Sequence, residues 1–177
     1  MEELTIEWIE AEDAEDVICE VMNRYGQDIL QLAYSYVNNK TIAEDLTQDI
    51  FVKCYKYLYT YTGKSTFKTW LWRIAINHCK DFLKSWYNKN VIISEEQSTT
   101  ASSKKEHVEQ AVIQKDEDDR LAAIVMSLPI KYREVIHLFY FEELAIKEIS
   151  NVLEVKENTI KTRLKKAKEL LKERLEE

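Results

Sequence analysis

The chain has 177 residues with only two glycines and one proline, so few tight turns are available and helices are favoured over hairpins. No apolar run approaches the roughly 20 residues of a membrane-spanning helix, and the acidic start lacks the pattern of a secretory signal. The net charge of −7 by itself disfavours a nucleic-acid partner, because affinity for DNA comes largely from lysine and arginine. These features predict an all-α protein in the cytoplasm.

The distribution of charge along the chain, unlike the net charge, favours a nucleic-acid partner. Residues 1–20 contain nine acidic residues and no Lys or Arg, which leaves a net charge of +2 on the rest of the chain. Positive charge is concentrated in two stretches, residues 63–90 and residues 147–168. Two basic stretches of this kind are typical of two contact points on one polyanion.

The cysteines do not indicate a metal site. Cys19, Cys54 and Cys79 are far apart and form no C-x-x-C pair, which argues against a disulfide framework and against zinc. His78 precedes Cys79, but adjacent residues on a helix point in different directions. We interpret all three cysteines as reduced core thiols and expect no cofactor.

A polar stretch rich in Ser and Thr divides the chain into two helical domains. It lacks apolar periodicity and predicts a flexible linker. The predicted organisation is an acidic N-terminal segment (1–16), a helical domain (17–92), the linker (93–113) and a C-terminal domain (114–177). A helix around Val17 to Met22 that packs on the first domain is one interpretation of the acidic start, and a disordered tail is the other.

In the first domain, apolar residues recur at helical spacing from Ile42 to Tyr57, and Thr41 is the expected N-cap of that helix. Asp45 and Asp49 are one helical turn apart. Such a pair suits a metal or acid/base site, a solvated acidic face, or a docking face for a basic partner helix. The docking face is preferred, because no His, third carboxylate or phosphate-binding loop accompanies the pair.

The next helix follows the loop YTGKST and reads FKTWLWRIAINHCKDFL. Aromatic rings beside a short hydroxyl-rich loop and basic residues are suited to holding an unstacked base. The competing interpretation is that Phe67 and Trp70 belong to the core, since aromatic residues at helical spacing are more often buried.

The C-terminal domain has the pattern of a helix-turn-helix. Ser127 and Pro129 precede one helix, and a short helix from about Ile146 to Leu153 is followed by a turn and a long helix from about Glu157. The long helix carries an apolar stripe opposite a basic face, which suits the major groove. A solvated basic helix at the end of a bundle is the alternative.

Three segments together resemble successive regions of the extracytoplasmic-function group of sigma-70 factors. They are AEDLTQDIFVKCYKYL, then GKSTFKTWLWRIAINHCKDFL, then LPIKYREVIHLFYFEELAIKEISNVLEVKENTIKTRLKKAKELL. The resemblance implies an alternative sigma factor that binds core RNA polymerase, recognises promoter DNA and promotes strand opening, with nucleotide chemistry left to the polymerase. It also implies an anti-sigma factor as partner, often a membrane-anchored one.

The resemblance assigns three sets of contact residues. Those implied to bind core polymerase are Asp45, Gln48, Asp49, Phe51 and Val52. Those implied to bind the minus-10 element are Tyr61, Thr62, Gly63, Lys64, Ser65, Thr66, Phe67, Asn77 and Lys80. Those implied to bind the minus-35 element are Asn158, Lys161, Thr162, Arg163, Lys165 and Lys166, with Arg163 on phosphate.

The chain departs from the family pattern at three positions. Glu154 stands in the turn where the family often has Gly, which predicts a strained residue with positive φ or a different turn. Phe139 and Glu143 stand where Arg and Gly are common, so fewer phosphate contacts are expected there.

Two other classes of protein stay open from the sequence. One is a helix-turn-helix regulator that binds operator DNA as a dimer, without polymerase, and senses a ligand through its N-terminal domain. The other is a helical enzyme that uses Asp45 and Asp49, which would lose activity in an Asp49→Asn variant.

Overall fold

The computed structural model describes residues 4–96 and 117–176, with side chains described for residues 4–90 and 120–176. The described residues form helices and turns and no strand. The helices are α1 (Ile6–Ala11), α2 (Ala14–Val37), α3 (Lys40–Tyr57), α4 (Phe67–Glu96), α5 (Glu117–Ser127), α6 (Ile130–Ile136), α7 (Ile146–Leu153) and α8 (Glu157–Glu176). A 3-10 turn at Leu58–Thr60 and a π-helical turn at His137–Phe141 complete the order. The all-α prediction is confirmed.

The chain forms two helical units, which we call the N-terminal unit (α1–α4) and the C-terminal unit (α5–α8). The predicted linker at 93–113 lies between them, but α4 continues to Glu96, so its first four residues are helical. Residues 97–113 of that prediction lie outside the described residues.

The N-terminal unit is built on α2, α3 and α4, whose apolar stripes meet in one core. Ile29, Leu32, Ile50, Leu71 and Trp72 are fully buried there. A sharp turn joins α2 to α3, because Asn38 adopts a left-handed conformation with φ of 50°. Asn is one of the few residues that enters this region at low cost.

The predicted N-cap of α3 is wrong by two residues. Asn39, not Thr41, precedes the helix, and its side-chain oxygen accepts a hydrogen bond from the Ile42 amide at 3.0 Å. Asn is at least as good a cap as Thr, and its place directly after the left-handed Asn38 fixes where the helix begins.

The C-terminal unit contains the predicted helix-turn-helix, α7 and α8, with the predicted bounds. Pro129 is the N-cap of α6, and Ser127 is the last residue of α5 rather than part of the next helix. The α7 helix starts with the Ala145 amide donating to the Glu148 carboxylate at 2.8 Å, which satisfies a free amide at the helix start. Ile149, Val152 and Ile160 then bury the facing sides of α7 and α8.

The prediction that all three cysteines are core thiols holds for two of them. Cys54 and Cys79 are fully buried, and burial raises the pKa of each thiol to about 12. Cys19 is exposed on α2, so the prediction is wrong for this residue. It lies on the helix side opposite Val17 and Val21, which are the residues that enter the core.

Both glutamates at positions where the family often has Gly adopt left-handed conformations. Glu143 has φ of 55° and Glu154 has φ of 56°. A non-Gly residue in this region costs roughly 1 kcal/mol. The predicted strain at Glu154 is therefore confirmed, and it places α8 directly after a tight turn.

Candidate nucleic-acid and partner interfaces

The residues assigned to core polymerase lie along one side of α3. Asp45, Gln48 and Asp49 are exposed, and Val52 is 51% exposed. Phe51 is 5% exposed, so it forms the floor of this surface rather than its outer edge.

A shallow apolar groove runs between this side of α3 and the start of α2. Its lining consists of Glu15, Ile18, Cys19, Met22, Gln48, Phe51, Val52 and Tyr55. Acidic residues at one edge and exposed apolar side chains along the floor are suited to a basic, partly apolar helix.

The Asp45 and Asp49 pair has no metal-site geometry. Across residues 4–96 and 117–176, no three His, Cys, Asp or Glu residues cluster as a metal would require. Asp49 instead lies 3.5 Å from His78 Nε2, at the limit for a hydrogen bond. Burial, with help from Lys53, lowers the pKa of His78, although the nearby carboxylates oppose the shift. This histidine supports the α3–α4 contact as a mostly neutral side chain.

The loop assigned to the minus-10 element, residues 61–66, is held in place by hydrogen bonds. The Tyr61 hydroxyl donates to the Ser65 carbonyl at 2.9 Å, and Thr66 Oγ1 accepts from the Thr69 amide at 3.1 Å, which caps α4. Gly63 has φ of 69°, a conformation for which Gly is favoured. Thr62, Gly63 and Lys64 are exposed at the tip.

Three aromatic rings pack against one another at the base of this loop. Tyr61, Phe67 and Trp70 contact one another with ring centroids 5.3 to 5.6 Å apart. Phe67 is fully buried, so it carries the loop and presents no face to a base, whereas Tyr61 and Trp70 are half-buried. The core interpretation of Phe67 was therefore right.

Of the two interpretations of the acidic start, the helix around Val17 to Met22 that packs on the first domain is confirmed, because these residues belong to α2 and Val17 and Val21 are buried. The packing of residues 4–9 on the loop 61–66 was not predicted. Leu4 is 3% exposed, and the Ile6 side chain packs against Gly63, where an added Cβ would lie in van der Waals contact with it at 3.4 Å. Thr5 caps α1 by accepting from the Trp8 amide at 3.3 Å. The spacing of the apolar residues Leu4, Ile6 and Ile9 in the sequence could have indicated this packing.

The helix α8 is divided into a buried and an exposed side, as predicted. Ile160, Leu164 and Ala167 are buried. The exposed residues of the assigned set are Asn158, Lys161, Thr162, Lys165 and Lys166. Arg163 lies at the boundary, where its NH1 is 3.2 Å from a carboxylate oxygen of Glu134.

The two units are joined by ion pairs that the sequence did not predict. On α4, Lys68 Nζ lies 3.2 Å from Glu142, Arg73 NH2 lies 2.9 Å from Glu154, and Lys80 Nζ lies 3.0 Å from Glu134. We call these three pairs the interunit bridges. Asn77, also assigned to DNA, is exposed between them along the helix.

None of the helices in the described part of the chain has the length and hydropathy of a membrane span. Residues 21–87 match the family model for Sigma-70 region 2, and residues 118–171 match the model for Sigma-70 region 4. Similar proteins include the ECF RNA polymerase sigma factors SigW and SigM of Bacillus subtilis (strain 168). The first is 29% identical over 91% of this chain and 90% of its own length, and the second is 30% identical over 88% and 93%.

Solved structures with the same fold include the sigma factor RpoE of Bartonella quintana in complex with the anti-sigma factor NepR (TM-score 0.69, 20% identity, covering 89% of this chain and 95% of that one). Another is CnrH in complex with the cytosolic domain of CnrY (TM-score 0.65, 21% identity, covering 92% and 89%). The two family matches, in order along two helical units, and the full-length relatives together show that this chain belongs to the extracytoplasmic-function group of the sigma-70 family and is an alternative sigma factor.

Proposed function

We propose that this sigma factor docks on core RNA polymerase through α3 and recognises promoter DNA through the loop 61–66 and α8. The observation that carries the proposal is the separation of two surfaces of opposite character. The exposed side of α3 is acidic and apolar, with Asp45, Asp49 and Val52, whereas the exposed side of α8 is basic, with Lys161, Lys165 and Lys166. A factor that joins polymerase to DNA requires one surface of each kind.

The loop 61–66 fits the role of holding one unstacked base of the minus-10 element. Its backbone is fixed by hydrogen bonds, its tip is exposed, and Tyr61 and Trp70 lie beside it. Capture of a flipped base favours strand opening because the unpaired state gains a binding partner. The chain itself performs no bond chemistry in this scheme and acts in the cytoplasm with the polymerase.

We also propose an anti-sigma factor as a partner, with the groove between the two units as its binding site. The groove is lined by Tyr36, Val37, Asn38, Asn39, Ile42, Phe82, Leu83, Trp86, Tyr87, Leu128, Pro129, Ile130 and Arg133. Trp86 and Tyr87 are 48% and 55% exposed, and Arg133 Nε is buried without a hydrogen-bond partner. An amphipathic helix bearing a carboxylate would cover the rings and pair this guanidinium.

The experiment that tests the proposed function is co-elution of the purified chain with bacterial core RNA polymerase, with and without a competing housekeeping sigma factor. Charge reversal at Asp45 and Asp49 is expected to abolish co-elution, because it turns the acidic edge of the docking side into a basic one. Charge reversal at Glu10 in α1 and at Glu12, which directly follows that helix, is the matched control and should leave binding intact.

Competitive binding that is lost only in the α3 variant supports the docking assignment. If both reversals weaken binding equally, only the net charge matters and the assignment is wrong. If the chain never binds core polymerase but binds operator DNA alone, the function is that of a free-standing regulator.

A further inference from the structure

A cavity of about 330 Å³ lies between the loop 61–66 and residues 4–7, which we call the N-terminal wall. The polar residues on its loop side are Tyr61, Ser65 and Thr66, and those on the N-terminal wall are Thr5 and Glu7. Its volume is within the range of pockets that hold small ligands. The loop that we propose to hold an unstacked base is therefore only one side of a two-sided cavity.

The N-terminal wall is held beside the loop by packing. Leu4 belongs to the core of the N-terminal unit, and Ile6 packs against Gly63 of the loop. Trp8 and Ile9, which follow the wall in α1, are half-buried against the same core. Because the wall is anchored at both ends, its side chains have defined positions relative to the loop.

The hydroxyl groups around the cavity already form hydrogen bonds. The Tyr61 hydroxyl donates to the Ser65 carbonyl at 2.9 Å, and Ser65 Oγ donates to the Thr66 carbonyl at 3.3 Å. Thr66 Oγ1 donates to Thr69 Oγ1 at 2.9 Å. On the N-terminal wall, Thr5 Oγ1 accepts the hydrogen bond that caps α1. These hydroxyls mainly hold the two sides of the cavity in place.

The carboxylate of Glu7 differs from these hydroxyls. Among residues 4–90 and 120–176 it has no partner in a hydrogen bond or an ion pair, although Glu7 lines the cavity. An ionised carboxylate only accepts hydrogen bonds, so a ligand in the cavity must present a donor to it. The same charge repels phosphate groups. The part of a DNA strand that suits the cavity is therefore a base and not the backbone.

We propose that Glu7 is a specificity-determining residue of the minus-10 site, which selects an unpaired base with an exocyclic amino group. Adenine, cytosine and guanine carry such a group, whereas thymine carries carbonyl oxygens instead. The carboxylate accepts a hydrogen bond from the amino group and is repelled by the carbonyl oxygens of thymine. The inference rests on the proposed function of the loop 61–66, and it adds the class of base that the loop takes.

The experiment uses the full-length chain bound to bacterial core RNA polymerase. The probe is a library of single-stranded DNA with randomised positions, and the bound strands are sequenced and compared with those bound by core polymerase alone. Gly63→Val narrows the cavity from the loop side, so the position whose base preference this variant loses is the one that the loop reads. We call it the loop-dependent position.

At the loop-dependent position we expect one base with an amino group to be enriched over thymine by roughly fivefold or more, the factor that one hydrogen bond to a charged group supports. Glu7→Gln should remove most of this discrimination, because an amide both donates and accepts and so also suits thymine. Glu10→Gln is the matched control, since Glu10 is also exposed on α1 but lines a different cavity. This control should keep the preference of the unmodified chain.

The other outcomes separate this inference from the proposed function. If Gly63→Val loses no base preference, the loop reads no base, and both the proposed function at this loop and the inference fail. If Gly63→Val removes a preference that Glu7→Gln leaves unchanged, or if the preferred base is thymine, only the role of Glu7 is refuted. Equal losses in Glu7→Gln and Glu10→Gln would show an effect of net charge and would also overturn the inference.

Discussion

The charged residues of the neighbouring helices α3 and α4 differ in whether they form ion pairs with the C-terminal unit. On α3, Asp45 and Asp49 are exposed, and no interunit ion pair among the described residues involves them. On α4, three cations are already bound by carboxylates of the C-terminal unit. The acidic residues on α3 are therefore free of these ion pairs, whereas three cations on α4 already have carboxylate partners.

The difference bears on affinity for DNA. Lys68, Arg73 and Lys80 already have carboxylate partners in the C-terminal unit, so they contribute little to DNA binding while these ion pairs are formed. A tethered factor also needs little affinity of its own for DNA, because polymerase supplies a high effective concentration. The acidic net charge and the occupied cations are both compatible with that arrangement.

The largest expected effect comes from removing the charge of Glu134, the buried centre of the interunit contact. Glu134→Gln is expected to lower the free energy of unfolding by about 3 kcal/mol, because Arg163 and Lys80 each lose a charged partner at a buried site. Tyr36→Phe removes one hydrogen bond to the same carboxylate and should cost only about 1 kcal/mol. Urea unfolding measures both, and equal losses would contradict the central role of Glu134.

A charge in the apolar groove between α2 and α3 should have the next largest effect, a weaker binding of polymerase. Val52→Glu places a carboxylate on an apolar floor that a partner helix would cover, which costs about 2 kcal/mol, or roughly 30-fold in affinity for core polymerase. Val52 is 51% exposed, so the free energy of unfolding should hardly change. Leu175→Glu, at a 45% exposed position on α8, is the control and should bind polymerase normally.

On α8, which we propose reads the minus-35 element, Lys166→Ala should reduce initiation that depends on this element by roughly tenfold, the loss of one contact in the groove. Core binding should be unchanged. Lys172→Ala is the matched control, because both lysines are exposed on α8 and each pairs with a following glutamate, Glu169 or Glu176. If both variants reduce initiation equally, the effect is one of net charge and the assignment to Lys166 is wrong.

The sequence predicted well what depends on neighbouring residues. The bounds of α7 and α8 and the start of α4 at Phe67 follow from periodicity and turn residues within a few positions. The cap of α3 was misplaced by two residues because Asn39 and Thr41 are both good caps, and only the left-handed Asn38 decides between them.

The interunit contacts could not be predicted in the same way. Tyr36 and Glu134 are 98 positions apart, and Arg73 and Glu154 are 81 apart, so no local pattern joins them. In the sequence, Glu154 stands out only as a departure from the family pattern. Its ion pair with Arg73 depends on how the two units pack. That Asp45, Gln48 and Asp49 share one exposed side of α3 was predictable because all three lie on one helix.

The smallest expected effect concerns Asp28, a half-buried residue of α2 near the interunit contact. Burial raises the pKa of its carboxyl above the ordinary 3.8, and Glu142 adds to the shift, although Lys68 and His137 oppose it. The packed units therefore bind this proton more tightly than separated, solvated units would. Packing is favoured as the pH falls through the raised pKa towards the ordinary one, and at neutral pH the ionised carboxylate opposes it.

Asp28→Asn removes that opposition and should raise the midpoint of urea unfolding slightly at neutral pH. The difference from the unmodified chain should shrink as the pH falls, since Asp28 then becomes neutral by itself. Asp16→Asn removes the same charge from an exposed position on α2 and serves as the control. If Asp28→Asn stabilises the chain no more than Asp16→Asn does, Asp28 acts through net charge alone.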